Sequence, residues 1–250
     1  MAQHALAGRT ALVTASSRNL GAAIARTLAG RGARVAVHYH ASRAAAEELA
    51  AALGPETVVV GGDAADAGAV RALVREAAAG LGGRVDVLVN NAGPFAIAPF
   101  ASLAEADWDL VMDANLKAAY VASREAAPGM RAAGWGRIVN VGAGSAYLRN
   151  HSVYGLAKHA MATLTEELAL ELGPEVTVNA IAPGQILESA DDVAAHDPTF
   201  VDRAVARTPL GRLVTRAEVA ELVATMCGPV FDMVTGATIP IDGGWRLPRF

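Results

Sequence analysis

Seven short runs of apolar, β-favouring residues recur along this chain, at 9–14, 34–39, 57–60, 85–90, 137–141, 176–181 and 237–241. The segments between them carry helical spacing instead. Leu20, Ile24 and Leu28 line one face of residues 18–29, and similar patterns fill 44–53 and 70–81. Strands joined through helices run parallel, because the crossover returns the chain to the same end of the sheet. The pattern therefore predicts an α/β fold, a doubly wound parallel β-sheet flanked by helices on both faces.

Helix limits are written locally. Ser102 with Glu105 and Thr215 with Glu218 have capping-box spacing, and Gly82-Gly83 stops a helix. A chain of 250 residues that is 53% hydrophobic suffices for one such domain over residues 1–250, and no repeat or linker divides it. The exception to the alternation is 185–212, polar and proline-interrupted, which reads as a loop at the carboxyl ends of the strands, where ligands bind.

Net charge is −4 with scattered basic residues, so no nucleic-acid partner is expected. The lone Cys227 rules out an internal disulfide and a cysteine-cluster metal site, and no metal is expected. Residues 1–6 lack a signal-peptide pattern, and no apolar run is long enough to span a bilayer. A cytoplasmic protein without a membrane partner is the expectation.

Chemistry enters with Tyr154 and Lys158, four residues apart and so on one helical face. An ammonium beside a phenol favours the phenolate, which would bring the tyrosine into use near neutral pH. The same spacing also occurs on many helices by chance, and the pair alone leaves both readings open. A second candidate is the turn at 14–21, between the first strand and first helix, where small residues let a pyrophosphate approach backbone N–H groups.

Taken with Asn90-Asn91-Ala92-Gly93 after the fourth strand, Pro183-Gly184 after the sixth, Pro209-Leu210-Gly211-Arg212 and Ile241-Asp242-Gly243-Gly244, these stretches resemble the short-chain dehydrogenase/reductase family of the compact, ketoreductase-like type. The resemblance covers residues 7–245 and implies a Rossmann-type fold. In the family's Thr-Gly-x-x-x-Gly-x-Gly turn only Gly21 survives; Ala15 and Asn19 take the other glycine places. Asn tolerates positive φ better than most residues, so the turn is expected to form.

The resemblance implies that the cofactor contacts Thr14, Ser16, Arg18, Asn19, Leu20 and Gly21 in that turn, and Tyr39, His40, Ser42 and Arg43 after the second strand. It adds Asp63 and Ala64 after the third strand, Asn90, Ala92 and Gly93 after the fourth, and Pro183, Gly184 and Ile186 after the sixth, with Tyr154 and Lys158 themselves. Tyr39 stands where NAD-dependent members carry an aspartate for the ribose 2′-hydroxyl, while Arg18, His40, Ser42 and Arg43 offer charge and donors to a 2′-phosphate. NADPH/NADP+ is the expected cofactor.

By the same resemblance Tyr154 protonates the alkoxide formed by hydride transfer, Lys158 lowers its pKa and holds the nicotinamide ribose, and Asn115 anchors a water leading to Lys158. The family's serine has no counterpart in register: Ala143 stands there, and either Ser145, the nearest hydroxyl and the favoured replacement, takes its place or the substrate brings its own polar group. Glu188 occupies the place of a threonine beside the carboxamide; it either reads a polar group on the ligand or lies solvated on the loop. Phe95, Ile97, Tyr147, Leu148, Ile186 and Leu187 would edge an apolar pocket for a small-molecule carbonyl substrate, bulky, such as a polyketide or 3-oxoacyl compound. Two other readings remain: a pteridine-reductase-like enzyme, suggested by residues 38–42, and a cofactor sensor that has lost turnover. The resemblance also implies self-association as a homotetramer or dimer through the helices around Asn115 and Tyr154.

Overall fold

The central strands are buried along their whole length, as a sheet covered on both faces requires. The computed structural model describes residues 5–95, 99–144, 152–190 and 197–247. Within them, β1 (Thr10–Val13), β2 (Arg34–Tyr39), β3 (Val58–Gly61), β4 (Val87–Asn90), β5 (Gly136–Val141), β6 (Val176–Pro183) and β7 (Thr238–Ile241) form one parallel sheet in the order β3-β2-β1-β4-β5-β6-β7. Every expected strand is present, shifted at its ends by two residues at most.

Helices α1 (Asn19–Gly30), α2 (Arg43–Leu53), α3 (Ala67–Gly80), α4 (Glu105–Met112), α5 (Ala118–Ala132), α6 (Val153–Leu172), α7 (Phe200–Arg207) and α8 (Arg216–Met226) complete the architecture. Side chains alternate across a strand, so neighbours in β1 enter different cores. Ala11 and Val13 join Ile24, Leu28, Leu49 and Val223 from α1, α2 and α8. Leu12, between them, joins Leu73, Met130 and Leu168 from α3, α5 and α6. The sheet is thus wound on both faces.

Two local expectations fail. Ser102 does not cap α4: residues Phe100–Ser102 form a 3-10 turn, its hydroxyl donates to Pro99 O at 3.3 Å, and the helix begins after Ala104. The turn spends the serine before the helix starts, whereas the Thr215–Glu218 box forms in both directions. The segment 185–212 is also more regular than expected. It contains α7, whose Ala204 is buried with Ala190 and Leu213 against Phe200, Val201 and Val205. Its apolar stripe is too short to show a clear period in the sequence.

β1 lies between β2 and β4, so successive connections leave it towards opposite edges. The carboxyl ends of β1 and β4 therefore flank the crevice in which open α/β sheets bind their ligands.

Candidate active site

Thr14 closes the crevice floor. Its hydroxyl accepts from Asn91 N and Ala92 N, each at 2.9 Å, and donates to Val89 O at 3.3 Å. The turn after β1 is thereby tied to the turn after β4. Ala15 and Asn19 both have positive φ, 49° and 52°, and they are the only non-glycine residues among those described that do. Backbone geometry suited to glycine thus persists at the two places where the motif has lost it. Gly21 has to remain: a Cβ there would lie 2.4 Å from Ala15 O and 2.7 Å from Ser16 Cα.

The helix that follows keeps its N-terminus open. Arg18 makes no side-chain cap and α1 has no acidic residue in its first turn, so its leading N–H groups and positive dipole end face the crevice. A pyrophosphate fits this donor set. Ser16, by contrast, is fully buried; its hydroxyl donates to Val13 O at 2.7 Å and accepts from His38 N at 2.9 Å. Its side chain stabilises the turn from within and does not face the crevice.

At the far end of β2 the Tyr39 ring lies across Gly61, where a Cβ would be 2.8 Å from the phenol oxygen. Ser42 precedes α2 without using its hydroxyl as a cap. Arg43 bonds Glu47 Oε1 through Nε at 2.8 Å, and His40 Nε2 is 4.0 Å from Asp63 Oδ2. Asp63 Oδ1 also accepts from Ala65 N at 2.9 Å, shaping the turn after β3, and Ala64 lines a small cavity with Thr14, Ala92 and Asn115. Asn90 is turned inward: its amide donates to Asn140 Oδ1 at 2.8 Å and Ser123 Oγ at 3.1 Å, and Asn140 in turn donates to Thr165 at 2.9 Å. That buried chain fixes α6 against the sheet.

Ser152 caps α6 by accepting from Gly155 N at 3.0 Å, which places Tyr154 in the first turn and Lys158 one turn on. Lys158 is buried and donates from Nζ to Val141 O at 2.8 Å, at the carboxyl end of β5. Its Nζ is 5.5 Å from the Tyr154 ring centroid. Burial pushes the Tyr154 phenol up to about 12 and the Lys158 ammonium down to about 8. The phenol is therefore shifted opposite to the lowering expected from its neighbour. Removal of both groups from water outweighs their attraction across that gap. Phe95 packs edge-on against Tyr154, with centroids 4.9 Å apart at 77°, and is itself 59% exposed, as a residue at a pocket rim would be.

Asn115 sits in a π-helical turn, Asp113–Lys117, between α4 and α5. Such turns carry an extra residue and re-aim a side chain. Here the amide donates to Val111 O at 3.0 Å and to Pro94 O at 3.1 Å, while Oδ1 is buried without a partner among the described residues. Gly93 leaves room for it: a Cβ at that position would stand 2.1 Å from Asn115 Oδ1. Gly184 is needed in the same way against Asp242, whose Cβ a side chain there would meet at 2.8 Å.

Glu188 has a partner that neither reading of it anticipates. Its carboxylate accepts from Arg216 N at 3.1 and 3.2 Å, while the Arg216 guanidinium donates to Glu188 O and Ser189 Oγ. Ile186 pairs with Val214, and Leu187 N donates to Val214 O at 2.8 Å, so this stem of the loop is fastened to the start of α8. Leu187 is exposed. Ser145, Ile97, Tyr147 and Leu148 lie outside the described residues; Ala143 is buried at the end of β5. Sequence reasoning misses His38, Ser152, Asn140 and Arg216, though a histidine inside the buried run 34–39 is a visible signal.

A family model described as enoyl-(acyl carrier protein) reductase matches residues 14–246. A tropinone reductase homolog of Arabidopsis thaliana is 36% identical over 98% of this chain and 95% of its own length. L-xylulose reductase of Bos taurus is 37% identical over 96% and 97%. Among solved structures, a gluconate 5-dehydrogenase from Burkholderia cenocepacia, in complex with NADP and tartrate, superposes with a TM-score of 0.91 at 30% identity, covering 99% of each chain. A short-chain dehydrogenase/reductase from Serratia marcescens reaches 0.88 at 37% identity, over 97% of this chain and 100% of that one. With the doubly wound sheet, the open helix terminus and the tyrosine–lysine pair in place, these matches show that the chain belongs to the short-chain dehydrogenase/reductase family of NAD(P)(H)-using oxidoreductases.

Proposed function

We propose that this protein is an NADPH-dependent ketoreductase acting on a bulky apolar carbonyl compound, such as a polyketide or 3-oxoacyl compound. The observation that carries the proposal is Tyr154, rimmed by Phe95 and backed by buried Lys158 at the carboxyl end of β5. A bound reduced nicotinamide supplies the hydride. Tyr154 Oη gives its proton to the carbonyl oxygen as the adjoining carbon is reduced. The phenol is protonated at neutral pH and so carries the proton that the reduced carbonyl needs. Lys158, held by Val141 O, stands one helical turn from the phenol, and Asn115 is assigned the anchoring of a water on the path to Lys158. Ser145 is assigned the donor role to the developing oxyanion.

Choice of NADPH rests on the end of β2. No carboxylate ends the strand, and Arg18, His40, Ser42 and Arg43 offer charge and donors to a 2′-phosphate. Cofactor contacts from Thr14, Asn19, Leu20, Gly21, Ala92, Gly93, Pro183, Gly184 and Ile186 are then main-chain or steric. The protein works as a homodimer or homotetramer. The α4–α5 rod is the surface assigned to that packing. Exposed Trp108, Leu110 and Tyr120 would be covered there.

Loss of NADPH absorbance over a panel of ketones, with wild-type protein and Tyr154→Phe, tests the reading. Turnover that the variant loses by about 10³-fold or more, with dinucleotide binding unchanged, is expected. Equal rates for the two proteins, or binding without turnover of any ketone, would sink it.

A further inference from the structure

His38 lies in β2 and is 1% exposed, yet none of the roles derived above uses its side chain. Its Nδ1 accepts from Ala15 N at 2.9 Å, and its Nε2 is 3.0 Å from Gly62 O. An acceptor at Nδ1 and a carbonyl at Nε2 fix one neutral tautomer, with the proton on Nε2. Burial supports the same state by holding the imidazole below its usual pKa. The backbone of His38 makes two further bonds to the turn, accepting from Ser16 N and donating to Ser16 Oγ, each at 2.9 Å.

Ala15 is the residue at the other end of this strut, and it holds φ 49° where a Cβ is disfavoured. Glycine would occupy that conformation without strain. The alanine therefore needs something to hold it there: the Nδ1 bond takes its N–H at 2.9 Å, while Asn91 Nδ2 reaches its carbonyl only at 3.3 Å. We propose that His38 is a positioning residue for the dinucleotide, a strut that clamps the Ala15 turn into its phosphate-binding shape and compensates for the glycine this chain lacks. The proposal rests on the family's dinucleotide cofactor, and on neither the choice of NADPH nor the ketone substrate.

Two near-isosteric variants separate the two ends of the strut. His38→Asn keeps an acceptor near the Nδ1 position; His38→Gln puts its amide near Nε2, keeping the Gly62 contact and losing that of Ala15. Binding of NADP+ and NAD+ is measured by calorimetry, with a thermal melt to confirm folding. His38→Asn is expected to bind within about threefold of wild type, and His38→Gln about tenfold or more weakly. Adding Ala15→Gly to His38→Gln is expected to bring affinity back to within about threefold, because glycine needs no clamp. A role confined to general stability would not be rescued at Ala15 alone. Equal affinities for the Asn and Gln variants, or no recovery with Ala15→Gly, would overturn the inference while leaving the cofactor site standing. Failure of the wild type to bind either dinucleotide would overturn both.

Discussion

Lys158 Nζ donates to Val141 O across 2.8 Å while standing 5.5 Å from the centre of the Tyr154 ring, so the ammonium is held by the sheet. The consequence is a stability that depends on pH. With a native pKa of about 8 against an ordinary 10.5, the lysine is charged in both folded and unfolded chains below about pH 8, and its burial cost is present in full. Between those values the native state has released its proton and the unfolded chain has not, so stability rises with pH. Tyr154, shifted the other way, opposes this only above its ordinary value of 10. From about pH 7.5 to 9.5 wild type should therefore gain on the order of 2 kcal/mol relative to Lys158→Met. Denaturant unfolding at the two pH values measures it. Parallel pH profiles would show that the lysine is not buried as described.

Gly93 and Asn115 make a second testable pair. A methyl on Gly93 would stand 2.1 Å from Asn115 Oδ1, and φ there is 144°. Gly83 has φ 115°, but a methyl group on it would meet nothing within 4 Å. Gly83→Ala is expected to cost about 1 kcal/mol from backbone strain alone. Gly93→Ala should cost about 2–4 kcal/mol and reduce turnover sharply, because Asn115 is displaced from the π-turn. Equal losses at the two positions would remove the packing argument.

Strand number and position are legible because the core strands are continuous apolar runs, and β2 occupies the same residues in sequence and structure. The capping boxes divide instructively. Thr215 and Glu218 bond each other, but Ser102 satisfies Pro99 O first, a competition that spacing alone does not express. Spacing places Tyr154 and Lys158 correctly on one helical face, yet the direction of the phenol shift is the reverse of what it implies. Sequence separation gives the distance between two groups and says nothing of the water around them. Glu188 shows the same limit over a longer range, since its partner Arg216 is 28 residues away and only the folded loop brings them together.

The proposed preference for NADPH is tested at Tyr39, the residue that ends β2 and leans over Gly61. Tyr39→Asp would set a carboxylate where a ribose 2′-hydroxyl is read and a 2′-phosphate repelled. The ratio of kcat/KM for NADPH over NADH is expected to fall by about tenfold or more, with a lower melting temperature as the ring leaves the core it packs against. Steady-state rates with each dinucleotide check this. A ratio unmoved by the substitution would place cofactor discrimination elsewhere.

The grip of Glu188 on Arg216 N predicts how the stem of the 185–212 loop behaves. The carboxylate satisfies one of the leading N–H groups of α8 and lies at the positive end of its dipole. Being exposed, the contact is worth about 0.5–1 kcal/mol, so Glu188→Ala should lower the melting temperature only slightly. Loosening should appear instead in binding, because Ile186 on the same stem is a candidate cofactor contact. KM is expected to rise about threefold or more with kcat nearly unchanged, the pattern of lost uniform binding. Glu188→Gln, which keeps an acceptor and loses the charge, should fall between. If Glu188→Ala matches wild type in both KM and melting temperature, the carboxylate is solvated in solution and Val214 with the Arg216 guanidinium fastens the stem.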